Sequence, residues 1–273
     1  MIINADDFGY TRGVTRGIVE AFHAGAISSA TLLANMPAFD DAILAVRNGA
    51  AALGVGVHIN LVQGRPLARV PTLTDARTGS FHSLPVLIAR ALSGRIDPDE
   101  VGAECDAQIA AVRLAGVHVT HLDSHMHTHA LPPLWPAIAA AAVRGGVQAM
   151  RWPAESMHTT PLPASRLASN VLVALSWKAV RRTASPLRFP DHFIGMSLQG
   201  GRNVERKLVR AFDRLEAGTT ELMMHPGHTD ADLASMDDYT WQRERELAAL
   251  TAPMVQDRLH EGGIQLVDFG ALA

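Results

Sequence analysis

The strongest constraint in this sequence is an alternation that runs its whole length: short apolar runs separated by longer segments of helical period. Residues 1–6 read as a strand. Thr11 is placed to cap a helix running to about His23, and Gly25 to stop it. Strands are then expected at 26–35, 53–61, 117–123, 147–153, 192–197 and 219–227, with a final one at 263–269. Helices are expected at 38–49, 84–93, 98–115, 132–144, 163–182, 203–216 and 239–250. Residues 62–83, rich in Gly, Pro, Thr and Arg, read as a long loop of the kind that often serves function. Seven or eight β-α alternations predict parallel strands joined by crossover helices. No G-x-G-x-x-G follows the first strand, so a dinucleotide-binding sheet lacks its phosphate cradle. The expectation is an α/β fold, a closed or distorted TIM-like (β/α) barrel. No internal repeat or linker interrupts it, so 1–273 is expected to be a single domain.

Composition narrows the class. A formal net charge of -3 gives no basic excess, which argues against nucleic acid as a partner. The single cysteine, Cys105, excludes an internal disulfide. The chain opens directly in a strand-like run without a basic leader, and it has no long uncharged apolar stretch. A cytoplasmic protein without a spanning helix is therefore expected. The segment "LASNVLVALSWKAVRR" (167–182) reads as a buried helix or dimer face, with peripheral membrane contact as the other reading. A homodimer is the base-rate expectation for barrels.

The polar residues gather where strands end. Asp6 and Asp7 end the first strand, and His58 and Asn60 the third. His121, Asp123, His125, His127 and His129 run from another; Arg151 ends the next; His225 and His228 follow "TTELMM". In a (β/α) barrel these ends converge on one mouth, where such proteins keep their active sites. Two adjacent buried carboxylates cannot both ionise without compensation. A cation or a shared proton would provide it; the other reading is that one of the pair caps the helix after it. Imidazoles packed as in "HLDSHMHTH" (121–129) are typical of a divalent-metal site. In extended chain those five residues share a face, so not all can bind one ion, and the others would support ligands or touch substrate. Arg151 is placed to lock a carboxylate through paired hydrogen bonds, or else lies on the surface. His225, followed by Pro226 and Gly227, is either a proton donor or a turn histidine. Trp152 and Tyr10 are expected near the mouth as sugar-stacking rings, with 62–83 as a cover.

The motifs "NADDFG", "GVHINL", "HLDSHMH", "MMHPGH" and "YTWQRERELAALT" together resemble the YdjC-like family, the ChbG/HpnK group of carbohydrate deacetylases, over nearly the whole chain. That family is similar to the NodB-type deacetylases, with a distorted (β/α) barrel and a metal held by one Asp and two His. The resemblance implies Asp7, His58 and His125 as metal ligands, Asp6 as general base, His225 as the acid for the leaving amine, and Arg151 as the residue orienting the base. It implies a divalent ion such as Mg, Zn or another transition metal. It also implies hydrolysis of an N-acetyl group on an N-acetylglucosamine-containing oligosaccharide or glycolipid; one branch of the family is associated with hopanoid lipids. The roles of His121, His127 and His129, and the division of labour between Asp6 and Asp7, stay open here. Competing readings are an Fe(II) oxygenase, a metal-dependent phosphoester hydrolase and a non-catalytic sugar-binding barrel.

Overall fold

The computed structural model describes residues 1–155, 170, 171, 173–175, 180, 186–199 and 201–272. Among them, seven parallel strands form one sheet: β1 (Ile2–Phe8), β2 (Ser29–Leu32), β3 (Gly54–Ile59), β4 (Val119–Ser124), β5 (Ala149–Met150), β6 (His192–Ile194) and β7 (Thr220–Met224). Their order is β5-β4-β3-β2-β1-β7-β6. The sheet curls into a distorted, TIM-like (β/α) half-barrel. Two single parallel bridges, Ala149↔Arg188 and Glu155↔Phe193, tie its edge strands β5 and β6 to neighbouring chain.

The longer strands have two characters, as the two-residue repeat of extended chain requires. Ile3 and Ala5 of β1, Val55 and Val57 of β3, Leu122 of β4 and Leu222 of β7 belong to one large apolar core. Their alternates are mostly polar or small: Asn4 and Asp6, Gly56 and His58, His121 and Asp123, Glu221. The barrel interior is therefore polar.

Around the sheet lie α1 (Arg12–His23), α2 (Phe39–Asn48), α3 (Leu84–Leu92), α4 (Pro98–Leu114), α5 (Trp135–Arg144), α6 (Val204–Phe212), α7 (Ala231–Met236), α8 (Trp241–Thr251) and α9 (Pro253–Glu261). The Thr11 side chain accepts from the Val14 N–H and starts α1 directly after β1. A Cβ on Gly17 would lie 2.5 Å from the Gly227 Cα, so α1 packs backbone to backbone against the turn after β7. That turn carries His225. α7 and α9, which periodicity alone does not reveal, begin at recognisable signals: the Asp230 carboxylate accepts from the Leu233 N–H, and Pro253 opens α9.

The expected strand at 263–269 is not a strand. Val267 donates its N–H to the Met1 carbonyl at 2.9 Å, and the Met1 ammonium donates to the Gln265 carbonyl at 2.6 Å. The chain then turns into a short 3-10 helix, Phe269–Leu272. Phe269 is fully buried beside Ile2 and Ala149, and its ring stacks on His121 with centroids 3.7 Å apart and planes 7° from parallel. An aromatic plug thus fills the end of the barrel opposite the mouth, and His121 belongs to it. The expected helix at 163–182 lies largely outside the described residues. Among the described residues, no helix is long and apolar enough to cross a membrane.

Removing the plug exposes that end of the barrel and opens a cavity beneath His121. Phe269→Ala is expected to lower unfolding stability by about 3–5 kcal/mol, measured by urea unfolding.

Candidate active site

A regular strand would send Asp6 and Asp7 to opposite faces. The structure overrides this at Asp7 itself, whose φ is 69°. The β1–β2 register shifts between Ala5 and Phe8, so the strand bulges there. A left-handed residue other than glycine costs about 1–2 kcal/mol. The result is that both carboxylates reach the mouth of the barrel.

Each carboxylate meets its own guanidinium. Arg151, fully buried, donates from both terminal nitrogens to the two Asp6 oxygens at 2.6 Å. The same guanidinium lies 2.6 Å from Asp123 and 2.6 Å from Glu221. Burial favours protonated Asp6, but Arg151 outweighs it and holds the carboxyl well below the usual range. Burial also raises Glu221, and with Asp123 and Asp6 nearby its pKa is pushed up to about 8 despite Arg151. Asp7 is held by Arg243 at 2.8 Å, and Arg243 is itself held by Asp237 at 2.8 Å and by the Tyr239 carbonyl.

Asp7 also faces two imidazoles. His125 Nδ1 lies 2.9 Å and His58 Nε2 3.3 Å from the same Asp7 oxygen. His58 turns Nε2 toward Asp7 because its Nδ1 is engaged by Asp123 at 2.6 Å. A carboxylate behind an imidazole is the usual way to orient a metal-ligating histidine. One atom each from Asp7, His58 and His125 lies within 4.8 Å of the others. This buried set of two nitrogens and one oxygen fits a divalent ion with further positions open. Asp6, His58 and Asp123 also lie within 4.8 Å, but Arg151 already occupies both of those carboxylates. Burial lowers the His58 pKa, yet Asp123, Asp7 and Asp6 outweigh it and push it up to about 10. The pocket's field therefore attracts a cation.

His225 stands across from this cluster, its Nε2 3.9 Å from Asp6. Its backbone N–H donates to Glu246 at 2.5 Å, and Glu246 also accepts from the Tyr239 hydroxyl. Asp6, His58, His125 and His225 form the polar end of a cavity of about 540 Å³. Among the described residues its other wall is mostly apolar, lined by Leu84, Ile88 and Leu92 from α3 and by Leu131, Pro132 and Met196.

The remaining expected residues separate. After β4 the chain leaves the extended form: Met126 and His127 have φ of 54° and 53° inside a 3-10 stretch, His125–Ala130. The shared face expected for the histidine run is therefore broken. His121 lies at the far end of the barrel. His129 is engaged by Ser124 Oγ at 2.6 Å and by the Arg151 carbonyl at 3.1 Å. His127 lines the cavity. His228 pairs with Glu20 on the surface. Trp152 and Tyr10 are buried and do not line the cavity. Trp152 packs edge-on to Trp135, and Tyr10 lies between His125 and Arg243. The loop at 62–83 is fastened to α4 rather than forming the cavity wall: Glu104 accepts from the Leu67 and Ala68 amides, and Glu100 from Thr72. It is α3, just after the loop, that lines the cavity.

Arg243, Glu246, Tyr239, Asp237 and Glu221 escaped sequence reasoning. Glu221 had a signal, a lone charge inside the apolar run "TTELMM". Arg243 and Glu246 lie three apart on α8, which looks like a solvated helix until Asp7 and His225 are seen behind it.

Comparison with known proteins agrees with this architecture. A family model described as YdjC-like protein matches residues 1–261. A carbohydrate deacetylase of Geobacillus stearothermophilus is 35% identical over 269 residues, covering 98% of this chain and 96% of its own. A chitooligosaccharide deacetylase of an Enterobacter species is 32% identical, covering 98% and 97%. The crystal structure of an Enterococcus faecalis protein, provisionally described as a cellobiose-phosphate cleavage protein, superposes with a TM-score of 0.82 at 29% identity, covering 100% of this chain and 98% of its own.

The interior charge balance makes stability depend on pH with a definite sign. Glu221 rises from an ordinary 4.5 to about 8 on folding, so the folded state holds the extra proton between those values. Its contribution is complete below 4.5 and lost as pH rises through about 8. Glu221→Gln, which fixes a neutral side chain, is expected to flatten this decline, read as thermal midpoints at pH 5 and pH 8.

Proposed function

The chain belongs to the YdjC-like family, and on that premise we propose that its barrel mouth hydrolyses the N-acetyl group of an amino sugar, releasing acetate. One observation carries the reading. An ionised carboxylate, a three-residue metal-donor set and a histidine close around the polar end of one cavity. The names of the relatives, carbohydrate deacetylase and chitooligosaccharide deacetylase, support a sugar as the substrate.

Asp7, His58 and His125 would hold a divalent ion, which supplies Lewis-acid polarisation of water and of the acetyl carbonyl. Asp6 orients the attacking water and takes its proton. Arg151 keeps Asp6 ionised at neutral pH and fixes both its oxygens, so the base cannot rotate away. Its low pKa makes Asp6 a weak base, and its strength lies in position. His225, on the other side of Asp6, delivers a proton to the departing nitrogen. Glu246 accepts from the His225 main-chain N–H and lies 3.8 Å from its Nδ1, which fixes the ring opposite Asp6. Arg243 holds the outer Asp7 oxygen and leaves the inner one facing the two histidines.

The apolar wall of the cavity supports an amino sugar carried on an apolar aglycone over a long oligosaccharide. Extended glycans need aromatic platforms and many polar partners, and among the described residues this wall has mainly Leu, Ile, Pro and Met.

The test is acetate release from chitobiose, longer chito-oligomers and an N-acetylglucosaminyl lipid. The protein is first treated with chelator and then resupplied with Mg, Zn, Mn, Co or Ni. Chelation is expected to abolish release and one ion to restore it. Asp6→Asn is expected to retain metal and lose about 10²–10⁴-fold in kcat, while His125→Ala loses both metal and activity. No acetate from any sugar, with metal still bound, would indicate another metal-dependent hydrolase or a binding role.

A further inference from the structure

Of the four histidines in the 121–129 run, three have contacts that account for them. His121 stacks on Phe269, His129 is bonded through both ring nitrogens, and His125 faces Asp7. His127 is different. Its Nδ1 is buried without a hydrogen-bond partner among the described residues. The rings nearest it, Phe193 and His129, meet it edge to face at 6.0 and 6.3 Å. It follows Met126 in a left-handed turn, a conformation that side chains rarely adopt and that surroundings must enforce. This turn places His127 on the wall of the same cavity as Asp6, His125 and His225.

The polar inventory of that wall is short. Among the described residues, the polar side chains lining it apart from Asp6, His58, His125 and His225 are Gln199 and His127. The Gln199 amide is already directed at the His225 ring, 3.5 Å from both nitrogens. A sugar entering the cavity brings hydroxyls that lose their water, and an unpartnered hydroxyl there weakens binding. Among the described lining side chains outside the metal-donor set, His127 is the one with a buried ring nitrogen that no neighbour engages. With no acceptor near the enclosed Nδ1, the ring proton belongs on Nε2, because a buried lone pair is tolerated better than a buried N–H.

We propose that His127 is a substrate-binding residue whose Nε2–H donates to a ring hydroxyl of the acetylated sugar, so that the site selects a sugar over other acetamides. This rests on the deacetylase reading and deepens it. The left-handed turn is then kept for recognition: a glycine or asparagine would sit there with less strain, but would not present an imidazole.

The experiment uses the full chain loaded with the ion that restores activity. Parent, His127→Phe and His127→Asn are compared on N-acetylglucosaminyl substrates and on analogues lacking single hydroxyls of the acetylated ring. Acetate release, metal content and thermal midpoint are recorded for each. Both variants are expected to raise KM about tenfold to a hundredfold, with kcat changed only a few-fold and metal content unchanged. On one deoxy analogue, parent and variants should become alike, which identifies the hydroxyl. His127→Asn should hold or raise the thermal midpoint, which loss of a packing residue would not do. Kinetic parity on the complete sugar overturns the proposal. So does an equal loss on every analogue and on an acetanilide without a sugar, since that is the mark of a structural role. No acetate release by the parent protein overturns the deacetylase reading and this inference with it, whereas parity in an active protein removes this inference alone.

Discussion

The interaction on which the rest of the structure depends is the buried contact of Arg151 with three acidic side chains. The guanidinium follows β5 and meets Asp6 from β1, Asp123 from β4 and Glu221 from β7. It therefore ties four strands of an incompletely closed barrel through its centre, where a (β/α) barrel normally packs branched apolar side chains. Charge buried in this way is weak evidence for stability, because desolvation offsets much of the attraction. What it secures is orientation. Asp6 cannot turn, Asp123 keeps its other oxygen on His58, and His58 in turn presents Nε2 to Asp7. One cation thus sets the direction of two carboxylates and an imidazole.

A second guanidinium repeats the device on the other side. Arg243 lies between Tyr10 and Tyr239 and grips Asp7 and Asp237 together. One turn further along α8, Glu246 holds the backbone of His225. A single helix thereby anchors both the carboxylate that faces the two imidazoles and the histidine opposite. The close packing of α1 on Gly227 fixes the same turn from the other direction. Residues from distant parts of the chain are held to each other by buried ionic contacts, which tolerate little displacement.

Strain marks the same region. Asp7, Met126 and His127 are left-handed residues that are not glycine, and all three border the mouth. The backbone departs from regularity inside β1 at Asp7 and just after β4 at Met126 and His127, where regularity would send a functional group the wrong way. Asp7 would face the helices if the strand continued. His125 and His127 owe their placement to the turn and not to a two-residue repeat.

Much of this was legible in the sequence. The apolar runs alternating with amphipathic segments specify parallel strands and crossover helices, because each pattern has its own period. Polar residues closing successive apolar runs, at Asp6, His58, Asp123, Arg151 and His225, specify a mouth, because parallel strands bring those ends together. The sequence alone therefore determined the barrel class and the neighbourhood of the site. Residue spacing alone could not separate His125 from His121, because identical side chains at equal spacing carry no sign of where extended chain ends; only the family resemblance favoured His125. Nor could it distinguish the 263–269 run from a strand, since apolar residues that plug a barrel and residues that pair along its edge look alike. Arg243, Glu221 and Glu246 became visible only in three dimensions, because a charge on a helix or strand reads as solvated until its buried counter-charge is found. Tertiary structure decided which carboxylate each cation holds and which way each imidazole points. Those choices depend on distances between segments far apart in the chain, and local sequence does not encode them.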